Sequence, residues 1–155
     1  MHFHWLERTQ FQDDYGARFH VSSMNFFLRG IRTMIGYITI GTSNLEKATD
    51  YWSKLLEPTG ATLMGDMGRI AFIGKGMDQP FIAVCTPYDE GDPSPGNGNM
   101  VALAMESREQ VDQMYARALE LGGTDEGEPG ERAPTFYGGY FRDLDGNKAV
   151  FYKMG

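Results

Sequence analysis

A strand-helix-strand-strand-strand pattern that occurs twice is the feature that most constrains the fold of this 155-residue chain. The segment MIGYITIGT, which begins at Met34, is rich in β-branched and apolar residues and predicts a strand buried on at least one face. A helix follows, because Ser43 and Glu46 form an S-x-x-E capping box and apolar residues recur at helical spacing as far as Leu55. Short strands are predicted next, at 61–64, 69–73 and 80–86.

The same order begins again after the turn-rich segment EGDPSPGNGN. An apolar strand at 100–105 precedes a helix with the capping residues Ser107 and Gln110 and a stop at Gly122-Gly123. An irregular edge strand is expected within 124–134, and a hairpin joins 135–142 to 148–153. The sequence therefore predicts an α+β fold of two β-α-β-β-β modules in one domain, with module one at 34–88, a linker at 89–98 and module two at 99–155.

The first 33 residues differ in character from the rest of the chain. They carry four basic and three acidic residues, a net charge of +1, whereas the remainder carries ten basic and eighteen acidic residues, a net charge of −8. No helical or strand period runs through them. We expect residues 1–33 to be a poorly ordered N-terminal extension or an artefact of the chosen start codon, since Met34 opens the first good strand.

Charge and cysteine content narrow the classes of partner and compartment. A net charge of −7 provides no basic surface for nucleic acid or anionic lipid, so neither is expected as a partner. No apolar run approaches the roughly 20 residues that a membrane-spanning helix needs. Cys85 is the only cysteine, which precludes an intramolecular disulfide and favours a reducing compartment. The expected location is therefore the cytoplasm.

Several short motifs, taken in order, give a more specific indication. A strand followed by SNLEKATDYW, then GNGN, SREQVD, ELGG and RDLDGNK, resembles the vicinal oxygen chelate superfamily, which includes glyoxalase I, bleomycin-resistance proteins and extradiol dioxygenases. Each motif alone is weak, but their order and spacing across 34–155 are specific. The resemblance implies two paired modules whose curved sheets surround a central cavity, with a ligand or a metal held on the concave face.

The resemblance also implies which positions hold the metal in metal-dependent relatives. Matching the strands places the usual ligand positions at Tyr37, Met100 and Val150, and at Ile82 or Val84 on the fourth strand. None of these is a usual ligand for Zn, Fe, Ni or Co. The three histidines, His2, His4 and His20, all precede the two modules. We therefore expect no metal and no other cofactor.

Strand alternation predicts the side chains that line the cavity. Tyr37 shares a face with Thr39, Met100 with Ala102, and Val150 with Tyr152. The register of the last hairpin is open, because a slip of one residue exchanges one set of inward side chains for the other. Either Tyr140 and Arg142 or Gly139 and Phe141 face inward, and we favour the first pair. The expected ligand-binding residues are Tyr37, Thr39, Met100, Ala102, Tyr140, Arg142, Val150 and Tyr152.

Three functions fit these observations. The favoured one is a metal-free protein of the bleomycin-resistance type that binds a small organic molecule in an apolar and aromatic cavity. The second is an enzyme resembling lactoylglutathione lyase or a dioxygenase, with Tyr37 or Tyr140 as acid and base or with a metal whose ligands are not located. The third is a structural or regulatory module with a filled cavity. No catalytic residue is assigned, the sequence does not identify the ligand, and a homodimer remains open.

Overall fold

The computed structural model describes residues 34–155, so the predicted N-terminal extension lies outside the described residues. Two helices and eight strands make up this part of the chain, with one turn of 3-10 helix at Glu57–Thr59. In chain order, the elements are β1 (Tyr37–Gly41), α1 (Leu45–Leu56), β2 (Thr62–Asp66), β3 (Ile70–Gly74), β4 (Phe81–Cys85), β5 (Val101–Ala104), α2 (Arg108–Glu120), β6 (Thr124–Ala133), β7 (Phe136–Arg142) and β8 (Lys148–Met154).

The strands form two four-stranded sheets with the same topology. Sheet one has the order β1-β4-β3-β2 and sheet two the order β5-β8-β7-β6. In each sheet the first two strands of that order are parallel and the other pairs are antiparallel. The predicted α+β fold of two modules is confirmed, and the described residues form curved, open sheets rather than a closed barrel.

The two helices differ in how they begin. The Ser107 cap of α2 is confirmed, since the Ser107 hydroxyl oxygen accepts a hydrogen bond from the Gln110 N–H at 3.2 Å. The Gln110 side chain accepts from the Glu106 N–H at 2.8 Å, so the second bond of the box is displaced by one residue. The predicted cap of α1 is wrong, because the N-cap is Asn44, whose side chain accepts from the Lys47 N–H at 3.0 Å. Asp145 instead binds Ser43, through its backbone N–H at 2.9 Å and its hydroxyl at 3.0 Å. A tertiary contact thus moves the cap by one residue.

The predicted strands agree with the structure except at some ends. The first strand begins at Tyr37 rather than at Met34, because its single neighbour, β4, begins only at Phe81, the residue that pairs with Tyr37. The expected irregular edge strand is β6, which pairs with β7 through several register shifts. None of the helices described within 34–155 is long and apolar enough to cross a membrane.

One hydrophobic core is shared by both modules. Trp52 on α1 and Met114 on α2 are almost fully buried together with Phe141 and Phe151. The helices also meet directly, since the Tyr51 hydroxyl donates to the Ala118 carbonyl at 3.3 Å. Because Phe141 and Phe151 face this core, the side chains that alternate with them in β7 and β8 face the opposite side of sheet two.

The turn between β7 and β8, Asp143 to Asn147, ties module two to module one. The Trp52 Nε1–H donates to Asp143 at 3.1 Å, and the Thr42 hydroxyl donates to Asp145 at 2.6 Å. The Asn147 amide donates to the Gly41 carbonyl at 2.9 Å. The segment from Asp143 to Asn147 is therefore a hairpin turn, and both of its carboxylates accept hydrogen bonds from module one.

Candidate functional site

The side of sheet one that does not face the helices, here called wall one, is apolar and aromatic. Tyr37 is 55% exposed and stacks on Phe81, with ring centroids 5.1 Å apart and planes 8° from parallel. Phe72 meets Phe81 edge to face, with centroids 5.7 Å apart. Thr39 and Ala83, paired across β1 and β4, lie on the same side of the sheet, and Ala83 is fully buried there. Wall one thus offers aromatic rings to an apolar partner.

On β4, the residues predicted to stand at a metal-ligand position, Ile82 or Val84, were wrong by one residue. Ile82 and Val84 are buried in the core and pair with Ile38 and Ile40, on the side of the sheet that faces α1. Phe81, Ala83 and Cys85 are the β4 residues on wall one. Phe81 and Phe72 were not among the predicted residues, although the alternation in FIAVC indicates the side of the strand on which Phe81 lies.

The corresponding side of sheet two, wall two, carries the hairpin residues that the sequence favoured. Tyr140 pairs with Val150, and Arg142 pairs with Lys148, whereas Phe141 faces the core. Val150 is fully buried, so it forms the base of wall two rather than its surface. Ala102 pairs with Val150 from the neighbouring strand β5.

A stacked aromatic pair also lies on wall two. Phe136 and Tyr152 are stacked, with centroids 5.2 Å apart and planes 5° from parallel. Gly138 leaves room for this stack, because a Cβ at that position would lie 2.8 Å from a ring carbon of Phe136. The absence of a side chain at Gly138 therefore helps to fix the ring of Phe136 against Tyr152.

Three charged side chains, Arg142, Lys148 and Glu126, form a cluster on wall two. The Arg142 guanidinium donates to both carboxylate oxygens of Glu126, at 2.8 and 2.7 Å, and Lys148 Nζ lies 3.4 Å from one of the same oxygens. Hydrogen bonds from Arg142, and then from Lys148, lower the pKa of Glu126 to about 2. The Glu126 side chain was not predicted, because it lies on the irregular strand β6.

The lowered pKa predicts a pH dependence of stability that Glu126 controls. A carboxylate with a depressed pKa stabilises the fold above its ordinary pKa, near 4.5, and loses that contribution as the pH falls towards about 2. Urea unfolding of the wild type and of Glu126→Gln between pH 7 and pH 2 measures it. The wild type is expected to be more stable at pH 7, and the difference should shrink in this window. A constant difference would contradict the assignment.

A groove of about 950 Å³ is lined by residues of β1, β3, β4 and β5. Thr39, Met100 and Ala102 line it, together with apolar side chains such as Leu56 and Leu103. The other predicted residues, Tyr37, Tyr140, Arg142, Val150 and Tyr152, do not line this groove. Of the eight predicted ligand-binding residues, three therefore lie together in the groove. Tyr37 lies on wall one, and the remaining four lie on wall two.

The side chains at the three positions that the sequence matched to metal ligands are not usual ligands for a divalent cation. Tyr37 is stacked on Phe81, Val150 is a buried hydrocarbon, and Met100 offers only a thioether. Within residues 34–155, no group of three or more His, Cys, Asp or Glu side chains is arranged to hold a metal ion. The three histidines lie outside the described residues.

Comparisons with known proteins agree on one family. A family model described as the Glyoxalase/Bleomycin resistance protein/Dioxygenase superfamily matches residues 34–151. A glyoxalase/bleomycin resistance protein from Albidiferax ferrireducens T118 is 29% identical, with a TM-score of 0.70 over 77% of this chain and 98% of that one. No curated protein matches the chain.

Two further solved structures share the fold. A hypothetical protein from S. aureus is 24% identical, with a TM-score of 0.62 over 83% of this chain and 98% of that one. A glyoxalase/bleomycin resistance protein/dioxygenase family enzyme from Burkholderia phytofirmans PsJN is 14% identical, with a TM-score of 0.65 over 77% of this chain and 98% of that one.

Proposed function

Since the chain belongs to the glyoxalase/bleomycin resistance protein/dioxygenase superfamily, we propose that it binds a small organic molecule between apolar and aromatic walls and without a metal. The observation that carries the proposal is the exposed aromatic surface on the helix-free sides of both sheets, with Tyr37 stacked on Phe81 and Phe136 stacked on Tyr152. Aromatic side chains with a few polar groups among them are the usual lining of a small-molecule site.

The donor set supports binding without a metal. The positions that hold the ion in metal-dependent relatives carry a phenol, a thioether and an isopropyl group here, at Tyr37, Met100 and Val150. Of these, the thioether suits only soft ions such as Cu(I), and the isopropyl group has no donor atom. A cytoplasmic location is part of the proposal, supported by the free thiol of Cys85.

We also propose that a second copy of the chain completes the site. β1 and β5 stand at the ends of their sheets, and within 34–155 no strand pairs with their outer edges. Ile35, Tyr37 and Met100, beside these edges, are each more than 40% exposed. Open edges next to apolar surface favour pairing with another strand. A two-fold axis would pair each β1 with the partner's β5, and each wall one would then adjoin the partner's wall two.

The dimer can be tested at the edge of β5. Because the Met105 N–H donates to Tyr152 on β8, alternation directs the Ala102 N–H towards the open edge. Ala102→Pro removes that N–H and is expected to convert a dimer into a monomer in sedimentation velocity, whereas Ala102→Ser, which keeps the N–H, is expected to remain dimeric. A wild-type chain that sediments as a monomer at micromolar concentration would contradict the dimer.

The binding proposal is tested with aromatic probes of matched shape, 2-naphthoate and 2-naphthamide, by isothermal titration calorimetry. Wild-type protein is expected to bind at least one of the two. Tyr37→Ala removes the outer ring of wall one and is expected to weaken binding about fivefold to tenfold, the effect of losing one aromatic contact.

Tyr88→Ala is the matched control, because Tyr88 is 89% exposed and lies outside both walls. Its affinity for the probes is expected to equal that of the wild type. Equal losses in the two variants, or no binding of either probe to the wild type, would contradict the proposed function.

A further inference from the structure

Wall two carries a surplus of positive charge, although the chain as a whole has a net charge of −7. Arg132 and Lys148 lie beside the ring of Tyr140, Arg142 lies two residues further along the same strand, and Glu126 pairs with Arg142 and Lys148. We call these four charged residues and Tyr140 the cationic patch. A local excess of cations on an acidic protein attracts anions to that surface.

Arg142 does not account for this excess, because Glu126 neutralises its charge and three of its five N–H groups already donate to protein atoms. Its guanidinium forms a two-point pair with Glu126 and donates a further hydrogen bond to the Gly146 carbonyl at 2.8 Å. Such a two-point pair is strong and fixes the geometry of both partners. Arg142 and Glu126 therefore neutralise each other and form a fixed support for the rest of the patch.

Lys148 and Arg132 have weaker partners. Lys148 Nζ lies 3.4 Å from a Glu126 oxygen that already accepts from Arg142 at 2.7 Å. Arg132 donates to the backbone carbonyl of Glu128, and among residues 34–155 it has no carboxylate within ion-pair distance. Lys148 thus has only a share in a carboxylate that is already engaged, and Arg132 has no carboxylate partner among the described residues.

The two cations lie beside the same aromatic ring. The Lys148 ammonium lies 5.4 Å from the centroid of Tyr140, and the Arg132 guanidinium lies 5.6 Å from it. They come from different strands, β8 and β6, on either side of β7 in the sheet. Tyr152 and Phe136 continue the aromatic surface along wall two. The two cations and the aromatic side chains therefore lie on the same side of sheet two.

We propose that Lys148 and Arg132 bind the carboxylate of an aromatic carboxylic acid, whose ring packs on the aromatic side chains of wall two. The inference rests on the proposed function and adds to it the chemical class of the ligand. A ligand carboxylate accepts charge-assisted hydrogen bonds from Lys148 and Arg132, while Glu126 stays paired with Arg142. A neutral ligand of the same shape gains only the aromatic contact.

The experiment compares 2-naphthoate with 2-naphthamide, which replaces the carboxylate by a neutral amide of the same shape. In calorimetric titrations of the full-length wild type at low salt, the carboxylate is expected to bind about tenfold more tightly, and this preference should fall as salt is added. Lys148→Met and Arg132→Gln are each expected to reduce the preference severalfold while 2-naphthamide binds as before.

Two further variants separate charge from structure. Lys153→Met removes a lysine from the same strand as Lys148 but from a position that alternates to the other side of the sheet, and it is expected to keep the preference. Lys148→Arg keeps the charge and should keep the preference as well. A wild type that binds both probes equally would overturn the carboxylate inference but leave the proposed function standing. Failure of both probes to bind would overturn both.

Discussion

Gly123→Ala is expected to destabilise the protein by about 3 kcal/mol or more, enough to leave a large unfolded population. A Cβ at this position would lie 2.6 Å from the Tyr51 hydroxyl oxygen and 2.8 Å from the carbonyl oxygens of both Ala118 and Arg142. Two of these three contacts are with backbone, which cannot rotate away. Urea unfolding followed by circular dichroism measures the loss.

Gly36→Ala is the control for Gly123→Ala, because a Cβ at Gly36 would have nothing within 4 Å. Its effect is expected to stay within about 0.5 kcal/mol, as for most surface substitutions. If Gly123→Ala were as stable as Gly36→Ala, the close approach of α2, β7 and Tyr51 would be wrong, and with it the packing that joins the modules.

Asp143→Ala is expected to cost about 3 kcal/mol, because it removes a buried acceptor that several donors share. The Asp143 side chain is 5% exposed and accepts from Trp52 Nε1, from the Asn147 side chain, and from the backbone N–H groups of Asp145 and Asn147. Without the carboxylate, these buried donors lose their partner. Burial raises the pKa of Asp143, while the hydrogen bonds from Asn147 and Trp52 act against that increase.

Asp50→Ala provides the matched control for Asp143→Ala. Asp50 is exposed, and its carboxylate meets only Lys54 one turn along the same helix, at 2.7 Å. An exposed pair of this kind contributes about 0.5 kcal/mol or less. In thermal and urea unfolding, Asp143→Ala should therefore be much less stable than Asp50→Ala. Similar stabilities of the two variants would refute the role of Asp143 as the buried link between the modules.

The sequence predicted the elements well, because strand and helix periodicity depend on local pattern. Both helices, the irregular strand β6 and the last hairpin lie where hydrophobic spacing and turn residues placed them. The sequence left the register of that hairpin open, and in the structure the favoured pair, Tyr140 and Arg142, alternates with the buried Phe141. Local capping rules failed at Ser43, because Asp145, more than a hundred residues away in sequence, takes its hydroxyl.

The site was less predictable for two physical reasons. On β4 an error of one residue exchanged the two sides of the strand, so that Ile82 and Val84 were assigned in place of Phe81 and Ala83. In β6 the register shifts break the alternation, so that spacing alone did not place Glu126 and Arg132 beside Tyr140. A charged cluster assembled from three strands has no signature in any single segment of the sequence.

The central claim is that this chain binds an organic molecule on the aromatic walls without a metal, and one calorimetric comparison tests it most directly. 2-Naphthoate is titrated into untagged full-length protein before and after exhaustive treatment with a chelator. The account predicts the same affinity in both samples, with no change on adding back zinc or nickel. Binding that disappears with the chelator and returns with the metal would contradict it.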